Sequence, residues 1–81
     1  GQPLVLAQML SDIGGVLLNR SRESEAEASL AEALALREAQ LGETNADSMA
    51  VRVSVADARF RLGRWNEARE LLRAFNFPFR T

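Results

Sequence analysis

Cysteine, histidine, tyrosine and lysine are all missing from these 81 residues, and each absence removes a chemistry. Without Cys there is no disulfide to brace the chain and no thiol nucleophile. Without His there is no imidazole base, and the two gaps together exclude zinc sites built on Cys or His. Without Lys no amine can form a Schiff base, and Arg carries all ten positive charges. Carboxylates, Ser, Thr and Arg are the reactive groups that remain. No apolar run approaches the ~20 residues that span a bilayer, and no basic segment precedes an apolar stretch as a signal peptide requires. The expectation is a cytoplasmic chain without a membrane partner. A chain that opens on Gly1 rather than Met is expected to be a processed or excised piece of something longer.

What is present is mostly small and apolar. Hydrophobic residues make up 47% of the chain, and ten Arg against eleven Asp and Glu leave a net charge of −1. A nucleic-acid partner is not expected, since phosphate binding favours a basic excess. The charge is divided unevenly: residues 1–48 hold eight acids against three Arg, and residues 49–81 hold seven Arg against three acids. A domain this short buries only ~60% of the surface its unfolded chain exposes, so its thin core calls for closely fitted helices or a partner.

Periodicity then divides the chain. Pro3 suits a first helical turn, and Leu6, Leu10, Ile13 and Leu17 recur at helical spacing, which predicts a helix over 3–19. Ser24-Glu25-Ala26-Glu27 has the form of a capping box at the start of a second helix over 23–41. Ala26, Leu30, Ala33, Leu34 and Leu41 form its stripe, and Gly42 is its C-terminal stop. Asn45, Asp47 and Ser48 are candidate caps for a third helix over 47–62. Its Val51-Arg52-Val53-Ser54-Val55 alternates as a strand would, but Met49, Ala56 and Phe60 form one helical stripe and Val51, Val55, Ala58 and Leu62 another. A helix packed on two sides accounts for both. After the Gly63-Arg64 turn, Trp65, Ala68, Leu72 and Phe75 predict a fourth helix over 65–75, which Pro78 cannot continue. The chain therefore reads as all-α, a single domain with four helices.

Sliding the sequence by 42 residues lays Arg22 on Arg64, Glu25 on Glu67, Ala26 on Ala68 and Leu30 on Leu72, with Ile13-Gly14 on Val55-Ala56. The paired pattern of Leu10, Ile13-Gly14, Leu17, Ala26, Leu30 and Ala33, followed by Arg52, Val55-Ala56, Arg59, Ala68, Leu72 and Phe75, resembles the tetratricopeptide repeat, with Arg52 and Arg59 departing from positions usually apolar or aromatic. Small residues at Gly14, Ala26, Ala56 and Ala68 allow close helix approach. The period, and the run Leu41-Gly42-Glu43-Thr44-Asn45-Ala46-Asp47-Ser48, are similar to the kinesin-light-chain-type subclass. The resemblance implies two antiparallel helix-turn-helix repeats of a right-handed α-solenoid, about residues 4–45 and 46–75, with an aromatic tail at 76–81. It implies a non-catalytic module for protein–protein interaction. Two repeats are fewer than the three or more that usually stack stably, which implies a fragment, an end piece or a self-associating unit.

By the same resemblance the first helix of each repeat lines a concave face, with Gln8, Ser11, Asp12, Gly15, Asn19, Ser54, Asp57 and Arg61 as partner-binding candidates. The plainer reading is a wet helix face, on which Asp57 and Arg61 simply pair at i, i+4. A chaperone-tail carboxylate clamp is not expected, since Ser11, Gly15 and Ser54 stand where its Lys, Asn and Arg would be. Arg52, Arg59, Arg69 and Arg73 could receive an acidic partner or the acidic half of another copy; solvation, or pairing with Glu67 and Glu70, is the simpler reading. The Glu residues of the second helix read as a solvated face, so neither metal nor cofactor is expected. Phe60 and Trp65 read as core. Phe75, Phe77 and Phe79 demand cover, from their own chain or from self-association with a second copy, a possible homo-oligomer. The alternative to a peptide-binding module is a scaffold or dimerising appendage of a larger signalling protein with no ligand of its own.

Overall fold

Residues 2–73 are described by a computed structural model, and they form four helices: α1 (Gln2–Asn19), α2 (Glu23–Leu41), α3 (Ala46–Arg61) and α4 (Trp65–Arg73). No strand occurs among the described residues, and the β-branched segment 51–55 is helical. The predicted end of the last helix and the tail with Phe75, Phe77 and Phe79 lie outside the described residues. Each helix packs on the next in chain order, and α1 also touches α3. Three-residue turns reverse the chain after α1 and after α3, so the helices pair antiparallel as two hairpins set side by side.

The turns follow from local chemistry. Gly42 (φ 88°) and Gly63 (φ 82°) take left-handed backbone that a side chain would resist. Asn45 caps α3, its side-chain oxygen accepting from the Asp47 N–H at 2.8 Å. The capping box expected at Ser24 is not used: α2 starts at Glu23 behind Arg22, which provides no side-chain cap. Arg22 instead forks onto the Glu25 carboxylate, with Nη2 2.8 Å from Oε2.

The core is built from small residues. Ala7, Ala26, Ala33, Val55, Ala58 and Ala68 have no exposed surface, and Leu18, Leu30, Leu34 and Val51 fill the space between them. A Cβ placed on Gly14 would lie 2.5 Å from Leu30 Cγ, so α1 and α2 sit as near as they do because Gly14 has no side chain. The apolar stripe expected on α1 is half realised: Leu10 and Leu17 pack against the core, Leu6 and Ile13 are nearly half exposed, and Ala7, Gly14 and Leu18 complete the inward face. Phe60 and Trp65, expected in the core, are 43% and 60% exposed. Trp65 is held at the rim by its Nε1–H donating to Phe60 O at 3.1 Å.

Polar side chains tie the two hairpins together. Arg59 Nη2 on α3 lies 2.9 Å from Glu27 Oε2 on α2, and Arg52 on α3 pairs with Glu38 on α2 while reaching toward Leu71 O on α4. These two Arg were expected in solvent or on Glu67 and Glu70. Their side chains are instead mostly buried on α2 carboxylates, with Arg59 also 3.9 Å from Glu67 as expected, and the acidic first half meets the basic second half within one molecule. Arg73 does pair with Glu70, at 3.5 Å.

Candidate functional site

The face on which α1 and α3 lie side by side carries an open groove of about 280 Å³. Its walls follow from helical spacing: Gln8, Ser11 and Gly15 fall at i, i+3 and i+7 on α1, and Ala50 and Ser54 at i and i+4 on α3. Small side chains on both walls leave the space open. Leu18, Leu30 and Val51 form an apolar floor, and Arg37 reaches the groove from α2.

Four of the eight candidate residues, Gln8, Ser11, Gly15 and Ser54, therefore meet in one place. The other four do not join them. Asp12 accepts from Gln8 Nε2 at 2.9 Å and borders a separate apolar depression with Ile13, Val16 and Leu17. Asp57 belongs to the α3/α4 face with Val53, Ala56, Phe60 and Leu72. Arg61 pairs with Asp57 at 3.3 Å, as its i, i+4 spacing predicts, and Nη1 also donates to Leu18 O at 3.3 Å. Asn19 is exposed at the end of α1 and lines none of these hollows.

Sequence reasoning missed Arg37. It is 9% exposed, its Nη2 donates to Gln8 Oε1 at 2.8 Å, and Nη1 stands 3.7 Å from Asp47 Oδ2. A signal was present: Leu30, Ala33, Leu34, Arg37 and Leu41 form one continuous stripe at helical spacing, and the only charged member was passed over because it is charged. Ser11 Oγ and Arg37 Nε are enclosed without a hydrogen-bond partner. Ser54 Oγ turns back to Ala50 O at 3.4 Å.

Arg64 donates to Glu67 at the start of α4, which raises the guanidinium pKa and lowers that of the carboxyl. Among the described residues no group of His, Cys, Asp and Glu is arranged to hold a metal ion, and no helix is long and apolar enough to cross a membrane.

Two further apolar surfaces flank the groove. On α1, Val5, Leu6, Met9, Ile13 and Val16 are each about half exposed, and on α3 Val53 and Phe60 are likewise open. The first is carried by α1, and the second lies on α3 beside Leu72 of α4.

A family model for the tetratricopeptide repeat matches residues 5–74, which spans all four helices. No curated protein and no solved structure matches the chain.

Proposed function

The chain belongs to the tetratricopeptide-repeat family, whose members serve generally as protein–protein interaction modules, and from that premise we propose that it binds a peptide or a segment of a partner protein along the α1/α3 groove. The observation that carries the proposal is the groove itself, whose walls are small and polar where larger side chains would close it. A bound segment gains hydrogen bonds from Gln8, Ser11 and Ser54 and apolar contact with Leu18 and Val51. The residue types support a module that binds without catalysis, since His, Cys and Lys are missing from the whole sequence. The kinesin-light-chain-like subclass is part of the proposal, supported by the Leu41-Gly42 stop and by α2 and α4 starting at Glu23 and Trp65, 42 residues apart.

The test is selection of binders from a random peptide library, followed by mapping the selected peptides on amide NMR spectra. Shifts centred on Ser11, Gly15, Ala50 and Ser54, abolished by Ser54→Arg in a variant that melts normally, are the expected result. Selected peptides that shift only other faces, or no selected peptide at all, overturn it.

A second reading, self-association, is favoured by the two half-exposed apolar faces on α1 and α3. Phe75, Phe77 and Phe79, which lie outside the described residues, are part of this reading as sequence candidates for self-association. Light scattering over a concentration series decides it: a mass that rises to twice 8.9 kDa supports the reading, and a constant monomer mass rejects it.

A further inference from the structure

The two hairpins are built alike at positions 42 residues apart. α1 and α3 end at Asn19 and Arg61, and α2 and α4 start at Glu23 and Trp65. The turns between them match bond for bond: the Arg22 N–H donates to Leu17 O at 2.9 Å and the Arg64 N–H to Arg59 O at 2.8 Å, while Ser21 and Gly63 both take positive φ. Arg22 pairs with Glu25 as Arg64 pairs with Glu67. The way α3 sits on the first hairpin therefore shows what the corresponding open faces are shaped to do.

Val51, Val55 and Ala58 of α3 share one enclosed core cluster with Leu18 of α1 and Leu30 of α2. In the first hairpin, the positions of Val51, Val55 and Ala58 are held by Met9, Ile13 and Val16, which are apolar and about half exposed. In the second hairpin, the positions of Leu18 and Leu30 are held by Phe60 and Leu72, which line an open hollow of about 340 Å³ with Val53 and Ala56. One open face thus repeats the inserting half of the internal contact, and the other repeats its receiving half.

Resting on the self-association reading above, we infer that a second copy of this chain docks head to tail, its Met9, Ile13 and Val16 seated on the α3/α4 hollow at Phe60 and Leu72. The occupant is identified by that equivalence and by charge. Residues 1–48 carry eight acids against three Arg and residues 49–81 seven Arg against three acids, so unlike halves of two copies attract and like halves repel. Apolar side chains on both sides leave water when the faces meet. Because the two faces differ, the contact is heterologous: each added copy offers a fresh face, and growth does not stop at two.

The experiment is sedimentation equilibrium on the full chain and on two surface variants, each checked for helix content by circular dichroism. Ile13→Arg places a charge in the inserting face and Phe60→Arg one in the receiving hollow, both at side chains near half exposed. The mass of the parent is expected to rise with concentration past twice 8.9 kDa, and each variant alone to stay at 8.9 kDa. An equimolar mixture of the two is expected to form a one-to-one pair and stop there, since each variant keeps the face the other lacks. Val16→Arg with Val53→Arg repeats the test at neighbouring exposed positions. A Phe60→Arg chain that still dimerises alone means that two α1 faces pair, which overturns the head-to-tail contact and spares self-association. Two monomeric variants whose mixture stays monomeric overturn it as well. A parent that is monomeric at every concentration rejects self-association itself and the inference with it.

Discussion

Arg59 on α3 and Glu27 on α2 join the two hairpins through a 2.9 Å ion pair whose side chains are only 21% and 15% exposed. They are 32 positions apart in sequence, and the pair extends into a small network. Arg64 stands 3.9 Å from Glu27, and Glu67 stands 3.9 Å from Arg59 and 2.5 Å from Arg64. Two acids and two bases thus alternate across the seam of α2, α3 and α4.

Removing one member leaves a charge facing a neutral group at a mostly buried seam. Glu27→Gln is expected to cost about 1–3 kcal/mol, the range for a buried charged group deprived of its partner. In a domain of this size each kcal/mol corresponds to about 4–8 °C, so thermal melting followed by circular dichroism resolves it. A variant that melts like the parent would show that water replaces the pair at no cost.

The network also sets a pH dependence. The hydrogen bond from Arg64 holds the Glu67 carboxyl below its ordinary value of 4.5. A carboxylate lowered in the folded state contributes stability that is fully present above its unfolded pKa and lost as pH falls through its folded one. Melting temperature is therefore expected to hold above pH 4.5 and to drop below it, with Glu67→Gln flattening the drop. The effect is small because both side chains are near half exposed.

Adjacent glycines in α1 are expected to respond in opposite directions. At Gly15 an added Cβ meets nothing within 4 Å, so Gly15→Ala gains the helical preference of Ala, about 0.5–1 kcal/mol. At Gly14 the same atom overlaps Leu30 Cγ and Cδ2 at 2.5 and 2.6 Å, and Leu30 is itself enclosed. Overpacking of this kind costs about 1–3 kcal/mol, which exceeds the propensity gain. Denaturant melts of the two variants, compared with the parent, check both signs.

Caps provide a second contrast. Asn45→Ala is expected to cost about 1 kcal/mol, because Asn45 accepts the Asp47 N–H at the start of α3. Ser24→Ala is expected to change stability little, because Ser24 is exposed inside the first turn of α2 and does not cap it. Equal losses for both would contradict the observed start of α2.

The four helices were legible because their signals are local. Apolar spacing, Gly42 and Gly63 at the turns, and Asn45 ahead of α3 each act within a few residues, and each is used as read. The strand-like run 51–55 was resolved by the same means, since its two helical stripes outweighed its β-branched content. Ser24 misled because a capping-box spelling does not say which residue leaves the helical conformation first.

Burial was less legible. Leu6, Ile13, Phe60 and Trp65 were assigned inward by their size and are exposed, whereas Gly14, Ala56 and Ala68, read as close-approach positions, are enclosed together with Ala7, because close helix packing rewards the smallest residue at the point of contact. The site was half legible for a related reason. Gln8, Ser11, Gly15 and Ser54 share a face by helical period alone, and that much follows from counting. Asp12, Asp57, Asn19 and Arg61 fall outside the groove because one helix face is wider than the strip its neighbour leaves open.

The sequence by itself determined the number and order of the helices among the described residues and the family to which the chain belongs, since those depend on spacing along one chain. Only the tertiary structure decided that Arg52 and Arg59 satisfy Glu38 and Glu27, and that Arg37 reaches the α1/α3 groove. Such pairings depend on distances between residues remote in sequence, and those distances exist only once the helices have packed.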